Sequence, residues 1–342
     1  MSAQAPTGGR AARSDTDRSP GAAATCCVGV DVGGSHIAAA VLGPDGQLTR
    51  QVSVPLNPAP GAAESLAGLY EIVDRALAHI PGDADRILCV GAPGTVDFDQ
   101  GVVTNAYAVG WGRLALREVL EERYRVRTVI ENDVNLATLG EARFGAGKGV
   151  ENLVGIWIGT NIGGGIVLNG QLYRGPHGGA GEVGWMVPEP ALLRLNHAAD
   201  GCLESYAGGQ GIARQAQRML RQHPLSRSAM LDAADGDIDS VRAEHVFAAA
   251  QAHDDLALAV LERVFEYLSV SVANIVCLLD PEMIVIGGGV ARSGEMVVQA
   301  VRERIAGLSA HLPQLALSQL GPDAVLFGAL ALAQTFIGNT RT

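Results

Sequence analysis

The chain has 342 residues, 48% of them apolar, 18% charged and 4% aromatic, with a formal net charge of −11. That length suits two domains of ~100–200 residues each, and the apolar fraction supplies a sizeable core and excludes bulk disorder. The acidic balance argues against a nucleic-acid partner, because phosphate recognition rests on clustered Lys and Arg.

The single lysine, Lys148, stands against 24 arginines, which reads as base-composition bias and not as function. No apolar run reaches the ~18–20 residues needed to cross a bilayer, so no membrane partner is expected. Residues 1–24 are rich in Ala, Gly, Ser, Pro and Arg without a hydrophobic centre, and read as a disordered leader and not as a signal peptide. The five cysteines, Cys26, Cys27, Cys89, Cys202 and Cys277, are odd in number and fall mostly in apolar, strand-like runs. Reduced, buried thiols in a cytoplasm fit that pattern better than a disulfide framework.

Order is predicted to begin at Thr25. A buried strand over Cys26–Asp31 leads into a turn at Val32-Gly33-Gly34-Ser35. A second strand, Ile37–Leu42, ends at the hairpin signal Pro44-Asp45-Gly46, and a third covers Leu48–Val54. Leu66, Leu69, Tyr70 and Val73 recur at helical spacing within a helix over Ala62–Ala78. Arg86–Gly91 is a buried strand. The β-β-β-α-β order predicts a mixed sheet with helices packed on it.

A strand over Arg127–Ile130 precedes a helix over Val134–Phe144. The earlier grammar then repeats: a strand over Leu153–Ile158, a glycine-rich turn, a strand over Gly165–Leu168 and a glycine-rich loop from Gln171 to Gly184. Helices are predicted at Leu203–Arg221, Ala243–Ala252 and Asp254–Cys277, with a polar, loop-like stretch between Gln222 and Asp239. Met283–Ile286 is a strand ending in Gly287-Gly288-Gly289, and a helix over Ala324–Thr335 closes the chain. Strand-plus-glycine units opening both halves predict two related lobes with a cleft between them: a small lobe over 25–130, joined by the C-terminal helix at about 324–342, and a large lobe over 131–323.

Asp31-Val-Gly33-Gly34-Ser35 follows a strand, where glycines let backbone N–H groups approach an anion and Ser35 adds a hydroxyl donor. Asp31 can hold Mg²⁺ through water. Gly159-Thr160-Asn-Ile-Gly163-Gly164-Gly165 and Gly287-Gly288-Gly289 are two further turns of this type. One such turn is compatible with an ordinary tight turn; three, each directly after a buried strand, predict clamps on one nucleotide. The first matches neither a P-loop nor a dinucleotide fingerprint. Glu131-Asn132-Asp133-Val-Asn135 sits at a strand–helix junction. It reads either as helix capping or as a site where Asp133 accepts a proton from a hydroxyl nucleophile that Asn132 orients. Glu182, in a glycine-rich run, and Glu204, beside a turn, suit a polyhydroxylated ligand, although either also fits a surface charge.

These motifs together resemble the ROK family of repressors and sugar kinases. Gly29-Val-Asp-Val-Gly-Gly34, Glu131-Asn-Asp-Val-Asn135, Gly159-Thr-Asn-Ile-Gly-Gly-Gly-Ile166, Gly179-Ala-Gly-Glu182, Gly201-Cys-Leu-Glu204 and Leu279 to Gly289 carry the resemblance. It implies an α/β, actin-like ATPase (ribonuclease H-like) fold, two-lobed with a central cleft. It also implies ATP- and Mg²⁺-dependent phosphorylation of the primary hydroxyl of a hexose such as glucose, with Asp133 as catalytic base. Asn105, Asn132, Glu182 and Glu204 would contact the sugar; Gly33, Gly34, Ser35, Thr160, Gly163 and Gly164 would hold phosphates; Gly288 would lie near the adenosine.

The chain departs from the family's zinc site of one His and three Cys, where it carries Trp185, Leu195, His197 and Cys202. Two polar candidates cannot close a four-ligand tetrahedral shell, so no structural zinc is expected. Trp185 replaces a sugar-contacting His and makes the anomeric end of the acceptor pocket bulkier and more apolar. A kinase for an aminohexose such as kanosamine, or for a C7-cyclitol, is the alternative. Position 36 is His where the family often has Lys. The family's transcription factors carry an added helix-turn-helix module, for which the ~25 residues before the first strand are too few. A homodimer is expected from the commonness of two-fold assemblies.

Overall fold

The computed structural model of the chain describes residues 25–43, 48–57, 61–81, 84–196, 200–289, 293–309 and 311–338. The expected leader, the Pro44-Asp45-Gly46 turn and His197 lie outside the described residues.

The first sheet is built from β1 (Thr25–Val32), β2 (His36–Leu42), β3 (Leu48–Pro55), β4 (Asp85–Ala92) and β8 (Arg127–Asn132), in the order β3-β2-β1-β4-β8. Its β3/β2 and β2/β1 pairs are antiparallel, and its β1/β4 and β4/β8 pairs are parallel. The second sheet is built from β9 (Leu153–Ile158), β10 (Ile162–Leu168), β11 (Gln171–Leu172), β12 (Met283–Gly287) and β13 (Gln314–Leu317), in the order β11-β10-β9-β12-β13. Its pairings follow the same sequence of two antiparallel and two parallel ladders. The repeated grammar of the sequence is therefore a repeated sheet.

Helix α1 (Ala62–Leu77) lays Leu69, Ile72, Val73 and Ala76 on one face of the first sheet. Between the last two strands of that sheet come β5 (Thr95–Asp97), β6 (Val102–Ala106), β7 (Trp111–Leu114) and α2 (Leu116–Tyr124). The three strands form a small antiparallel sheet that is absent from the expected elements. They are too short to show a period, and Gly94, Gly101 and Gly110, all at positive φ, punctuate them.

Helix α3 (Asp133–Phe144) follows a strand of the first sheet yet packs on β9 and β10 of the second, with Thr138 beside Gly155 and Gly165. Helix α10 (Ala324–Gly338) follows a strand of the second sheet yet packs on β1 and β4 of the first. The two helices cross between the sheets. The crossing is set by glycine: a methyl group on Gly328 would stand 1.8 Å from the Leu136 carbonyl oxygen, and one on Gly140 2.2 Å from that of Ala324. No side chain fits at either point.

The outer face of the second sheet carries the largest apolar core. Helices α5 (Gly209–Gln222), α7 (Ala243–Gln251), α8 (Asp255–Leu279) and α9 (Gly294–Ile305) build it, with the short α4 (Glu204–Ala207) and α6 (Ala229–Asp232) at its edge. Three expectations change here. The helix expected over Leu203–Arg221 is broken at Gly208, which is extended (φ −72°, ψ 157°) because it and Gly209 lie against the backbone of Gly159 and Thr160. The polar stretch 222–239 contains α6, capped by Ser228 and anchored by the fully buried Met230. Finally, β10 begins at Ile162, three residues before the strand expected at Gly165.

All five cysteines are free, and four are buried; Cys277 lies on α8, in the helix expected there, and is exposed where buried thiols were expected. Burial pushes the Cys27 thiol up to about 11, with Cys26 adding to the shift. No helix among the described residues is long and apolar enough to cross a membrane.

Gly328→Ala should destabilise the fold by about 1–3 kcal/mol, the scale of overpacking a close contact. Thermal unfolding checks this against Gly112→Ala, whose added methyl meets nothing within 4 Å. Equal melting temperatures for the two variants would show that the crossing tolerates a side chain.

Candidate active site

The β9–β10 hairpin is the scaffold on which the segments carrying Asp133, Glu182 and Glu204 meet. Its own turn is tight: the Gly159 amide donates to the Asn161 carbonyl at 2.9 Å. Three other segments approach its backbone closely, each through glycine. The start of α3 comes first, since a methyl on Gly163 would stand 2.7 Å from Val134. The loop carrying Glu182 comes second: Gly181 (φ +90°) lies against the Gly164 carbonyl, and Gly184 against that of Ile162. The third is the α4–α5 corner that carries Glu204, where Gly209 and Gln210 donate to the carbonyls of Gly159 and Thr160 at 2.8 and 3.2 Å. The Glu204 carboxylate closes the arrangement by accepting from the Ile162 amide at 2.9 Å.

This corrects one expectation. Gly163, Gly164 and Gly165 are not a turn; they sit inside β10, and their missing side chains make room for α3 and the Glu182 loop. The exposed members of that motif are Thr160 and Asn161. Gly33, Gly34 and Ser35 do form a turn between β1 and β2, closed by the Gly33 amide donating to the His36 carbonyl at 3.0 Å, with Gly34 and Ser35 exposed.

Asn132 performs the capping role that its motif allows and is tied down at the other end of its amide as well. Its Oδ1 caps α3 by accepting from the Val134 and Asn135 amides, at 2.9 and 3.0 Å. Its Nδ2 donates to the Gly94 carbonyl at 3.0 Å. Gly94 in turn packs on the backbone of Thr104 and Ala106, which brackets Asn105. Asn105 is exposed and held at φ 57°, with its Oδ1 accepting from the Tyr107 hydroxyl at 3.1 Å. Glu131, 2% exposed, accepts from the Asn132 amide, from Asn135 Nδ2 and from Arg174 Nε, the last at 2.5 Å. Arg174 also stacks on the Phe98 ring at 3.9 Å. The junction is thus tied to β5–β6 and to the end of β11, links that the sequence motif did not disclose.

Asp31, Asp133, Glu182 and Glu204 form a chain of like charges. Burial pushes Asp133 up to about 7, with the charge of Asp31 adding to it and that of Glu182 contributing less; the Val134 amide pulls it down. Burial alone pushes Asp31 up to about 7. Partial desolvation, then the charge of Glu204, raises Glu182 above the usual carboxylate range. No Lys or Arg among the described residues pairs with any of the four.

Two recesses open at the site. One, of about 430 Å³, is lined by Asp133, Trp157, Gly288, Gly289, Gly321 and Pro322, among others. Gly288 (φ +89°) rests on Ile158 so closely that a methyl there would stand 2.4 Å from its carbonyl oxygen. The other recess, of about 340 Å³, is lined by Thr160, Asn161, Glu204, Arg214 and Arg218 among its polar groups.

The donor sets discriminate between metals. The Asp31 carboxylate accepts no hydrogen bond from the described residues and lies near enough to Asp133 for the two charges to interact, which fits a hydrated divalent cation. Among the described residues, no three His, Cys, Asp or Glu side chains stand together as a zinc shell needs. Trp185 is 48% exposed and offers no ligand atom, Leu195 offers none, and the buried Cys202 thiol lies 3.4 Å from the Ser205 hydroxyl.

A duplicated sheet with its helices exchanged across a cleft is the actin-like ATPase fold. The structure of a ROK family glucokinase from Streptomyces griseus in complex with glucose and AMPPNP superposes with a TM-score of 0.76 at 31% identity, over 91% of this chain and 99% of that one. The sequence is 36% identical over 312 residues to a glucokinase of Halalkalibacterium halodurans, covering 88% of this chain and 92% of the relative. It is 31% identical over 316 residues to a glucokinase of Streptomyces coelicolor, covering 90% and 97%. Residues 27–336 match the ROK family. The chain belongs to the ROK family and is a carbohydrate kinase.

Asn132→Ala should cost about 0.5–2 kcal/mol through loss of the cap, whereas Asn132→Ser, which loses the same bond to Gly94 but keeps an accepting oxygen, should cost less. Chemical denaturation of both variants distinguishes capping from a role confined to ligand contact, for which the two would be equally stable.

Proposed function

We propose that the protein transfers the γ-phosphoryl group of ATP to the primary hydroxyl of a hexose such as glucose, with Asp133 as general base. The observation that carries this reading is the convergence of Asp133 with Gly288 in one cleft, within a chain of four carboxylates that no Lys or Arg among the described residues pairs with. The bound glucose and AMPPNP of the Streptomyces griseus relative support the same pair of substrates.

Phosphoryl transfer asks the protein for alignment and charge more than for covalent chemistry. The acceptor hydroxyl oxygen attacks the γ-phosphorus, the bond to the β,γ-bridging oxygen breaks, and ADP leaves. The hydroxyl proton passes to the Asp133 carboxylate. A carboxyl held up to about 7 is a stronger base than an ordinary aspartate and is still substantially ionised at neutral pH. Asn132 is locked at both ends of its amide, so the strand–helix junction presents Asp133 in one position. Glu182, Glu204 and Asn105 offer acceptor oxygens to ring hydroxyls. Gly33, Gly34, Ser35 and Thr160 would contact the phosphates, and Gly163 and Gly164 contribute through the close approach they allow. Mg²⁺, held by Asp31 through water, would supply charge neutralisation at the phosphates.

A second reading concerns the acceptor. The family resemblance sets Trp185 at the position of a sugar-contacting His, and an indole offers one N–H donor, no acceptor and a large apolar face. A hydroxyl that loses its partner costs ~1–3 kcal/mol if buried. Glucose should therefore be a poorer substrate than for a zinc-containing relative, by roughly one to two powers of ten in kcat/KM. A cyclitol or aminosugar altered at the anomeric end should lose less. A kcat/KM for glucose of ~10⁵ M⁻¹s⁻¹ or above, with the panel silent, would dismiss the modified-sugar reading.

Asp133→Asn should lower turnover by ~10²–10⁴, the range for removing a general base, while acceptor binding survives. Coupled ADP release and equilibrium binding measure the two separately; near-full turnover would remove Asp133 from the role. Protein purified without added metal should contain no stoichiometric zinc and should not unfold in EDTA. One zinc per chain by elemental analysis would overturn that expectation.

A further inference from the structure

The chemistry above leaves one buried carboxylate without a task. Glu141 is 0% exposed and lies in the last turn of α3, eight residues and so about 12 Å beyond Asp133. A buried carboxylate with no cation is costly unless its lone pairs are satisfied. Four donors satisfy this one. Its Oε1 accepts from the Ser318 hydroxyl at 2.6 Å and the Leu320 amide at 2.8 Å; its Oε2 accepts from the Ala146 amide at 2.8 Å and the Gln319 amide at 3.2 Å. The chain closes round it, since a methyl on Gly145 would stand 2.0 Å from Oε2.

Three of the four donors come from residues 318–320, where the chain leaves β13 of the second sheet and turns towards α10 on the first. That segment continues directly into a cleft wall. Ser318, Gly321 and Pro322 line the same recess as Asp133 and Gly288. The Gly321 amide, at φ 54°, donates to Ser318 Oγ at 3.0 Å, so the Ser318 hydroxyl relays Glu141 to the wall itself. The helix that presents Asp133 at one end therefore fixes, from its other end, the opposite side of the cleft. The Gly140–Gly328 contact lies one residue from Glu141 and holds the helix pair at a fixed spacing.

We propose that Glu141 is a positioning residue for the nucleotide: it clamps the 318–322 crossing to α3 and so sets the ATP-binding wall relative to Asp133. This rests on the kinase reading of the cleft. The acceptor side includes Glu182 and Glu204, whose segments pack against the β9–β10 hairpin, and does not pass through this clamp.

The test is Glu141→Gln, which keeps the shape and turns one accepting oxygen into a donor facing donors, together with the milder Ser318→Ala. Titration calorimetry with ATP in excess Mg²⁺ and no sugar measures the donor site directly. Glu141→Gln should weaken ATP binding by ~5–30-fold, within the usual range of coupling between linked sites, and Ser318→Ala by a smaller factor. The KM for glucose should stay within about twofold, because that contact set is not coupled to the clamp. A purely structural Glu141 would lower the melting temperature and the active fraction but leave the ATP Kd of the folded protein unchanged. Folded Glu141→Gln with an unchanged ATP Kd would overturn the proposal. If that variant does not fold, an unchanged Kd in Ser318→Ala does so instead. A parent chain that binds no ATP overturns the kinase reading as well, whereas an unaltered Kd in variants of an ATP-binding parent overturns this inference alone.

Discussion

The molecule is organised by backbone meeting backbone. Where α3 and α10 cross, the Gly140 and Gly328 positions leave no room for a methyl group, and each helix lies on the sheet that the other one's preceding strand belongs to. Side chains would have pushed the helices to the usual separation of ~8–10 Å and opened the space between the sheets. With the helices this close, the cleft is left at the sheet edges, where the strands end and the glycine turns lie. The same device recurs on β10, where three glycines admit α3, the Glu182 loop and, through the adjoining turn, the α4–α5 corner.

This construction has an electrostatic consequence. Burying Asp31 and Asp133, and setting Glu182 beside Glu204, with no Lys or Arg among the described residues paired to them, costs free energy, and the cost shows in carboxyls held above their ordinary range. Two other carboxylates of the same region, Glu131 and Glu141, are more deeply buried and are fully met, one by Arg174 and two donors on Asn132 and Asn135, the other by four donors. The cleft carboxylates are met by fewer donors among the described residues, a single amide each for Asp133 and Glu204. The buried pair fixes the two places where the chain passes from one sheet to the other.

The exchange of helices also explains how distant segments reach one site. Asp133 comes from the end of a first-sheet strand, Glu182 and Glu204 from excursions off the second, and Pro322 from the return crossing. Rigid elements support each of them, which suits a reaction in which alignment supplies most of the acceleration.

Much of this was legible in the sequence, and for identifiable reasons. The strands at Leu153 and Met283 are continuous apolar runs, the helix at Ala62 has a clean period, and Asn132 is a cap residue directly after a strand; local composition determines each of these. The sequence also determined which polar residues stand at strand ends, because a carboxylate after a buried strand has nowhere to go but an edge. Only the tertiary structure decided what the glycines do. Gly163 to Gly165 read as a turn by composition, yet they lie within a strand whose partners, Val134 and Val183, arrive from ~20–30 residues away. The break at Gly208 and the burial of Met230 are set by neighbours that no local period encodes. The tasks of Glu131, Glu141 and Arg174 were hidden likewise, since a buried carboxylate looks like any surface charge until its donors, as many as 179 residues distant in the chain, are brought to it.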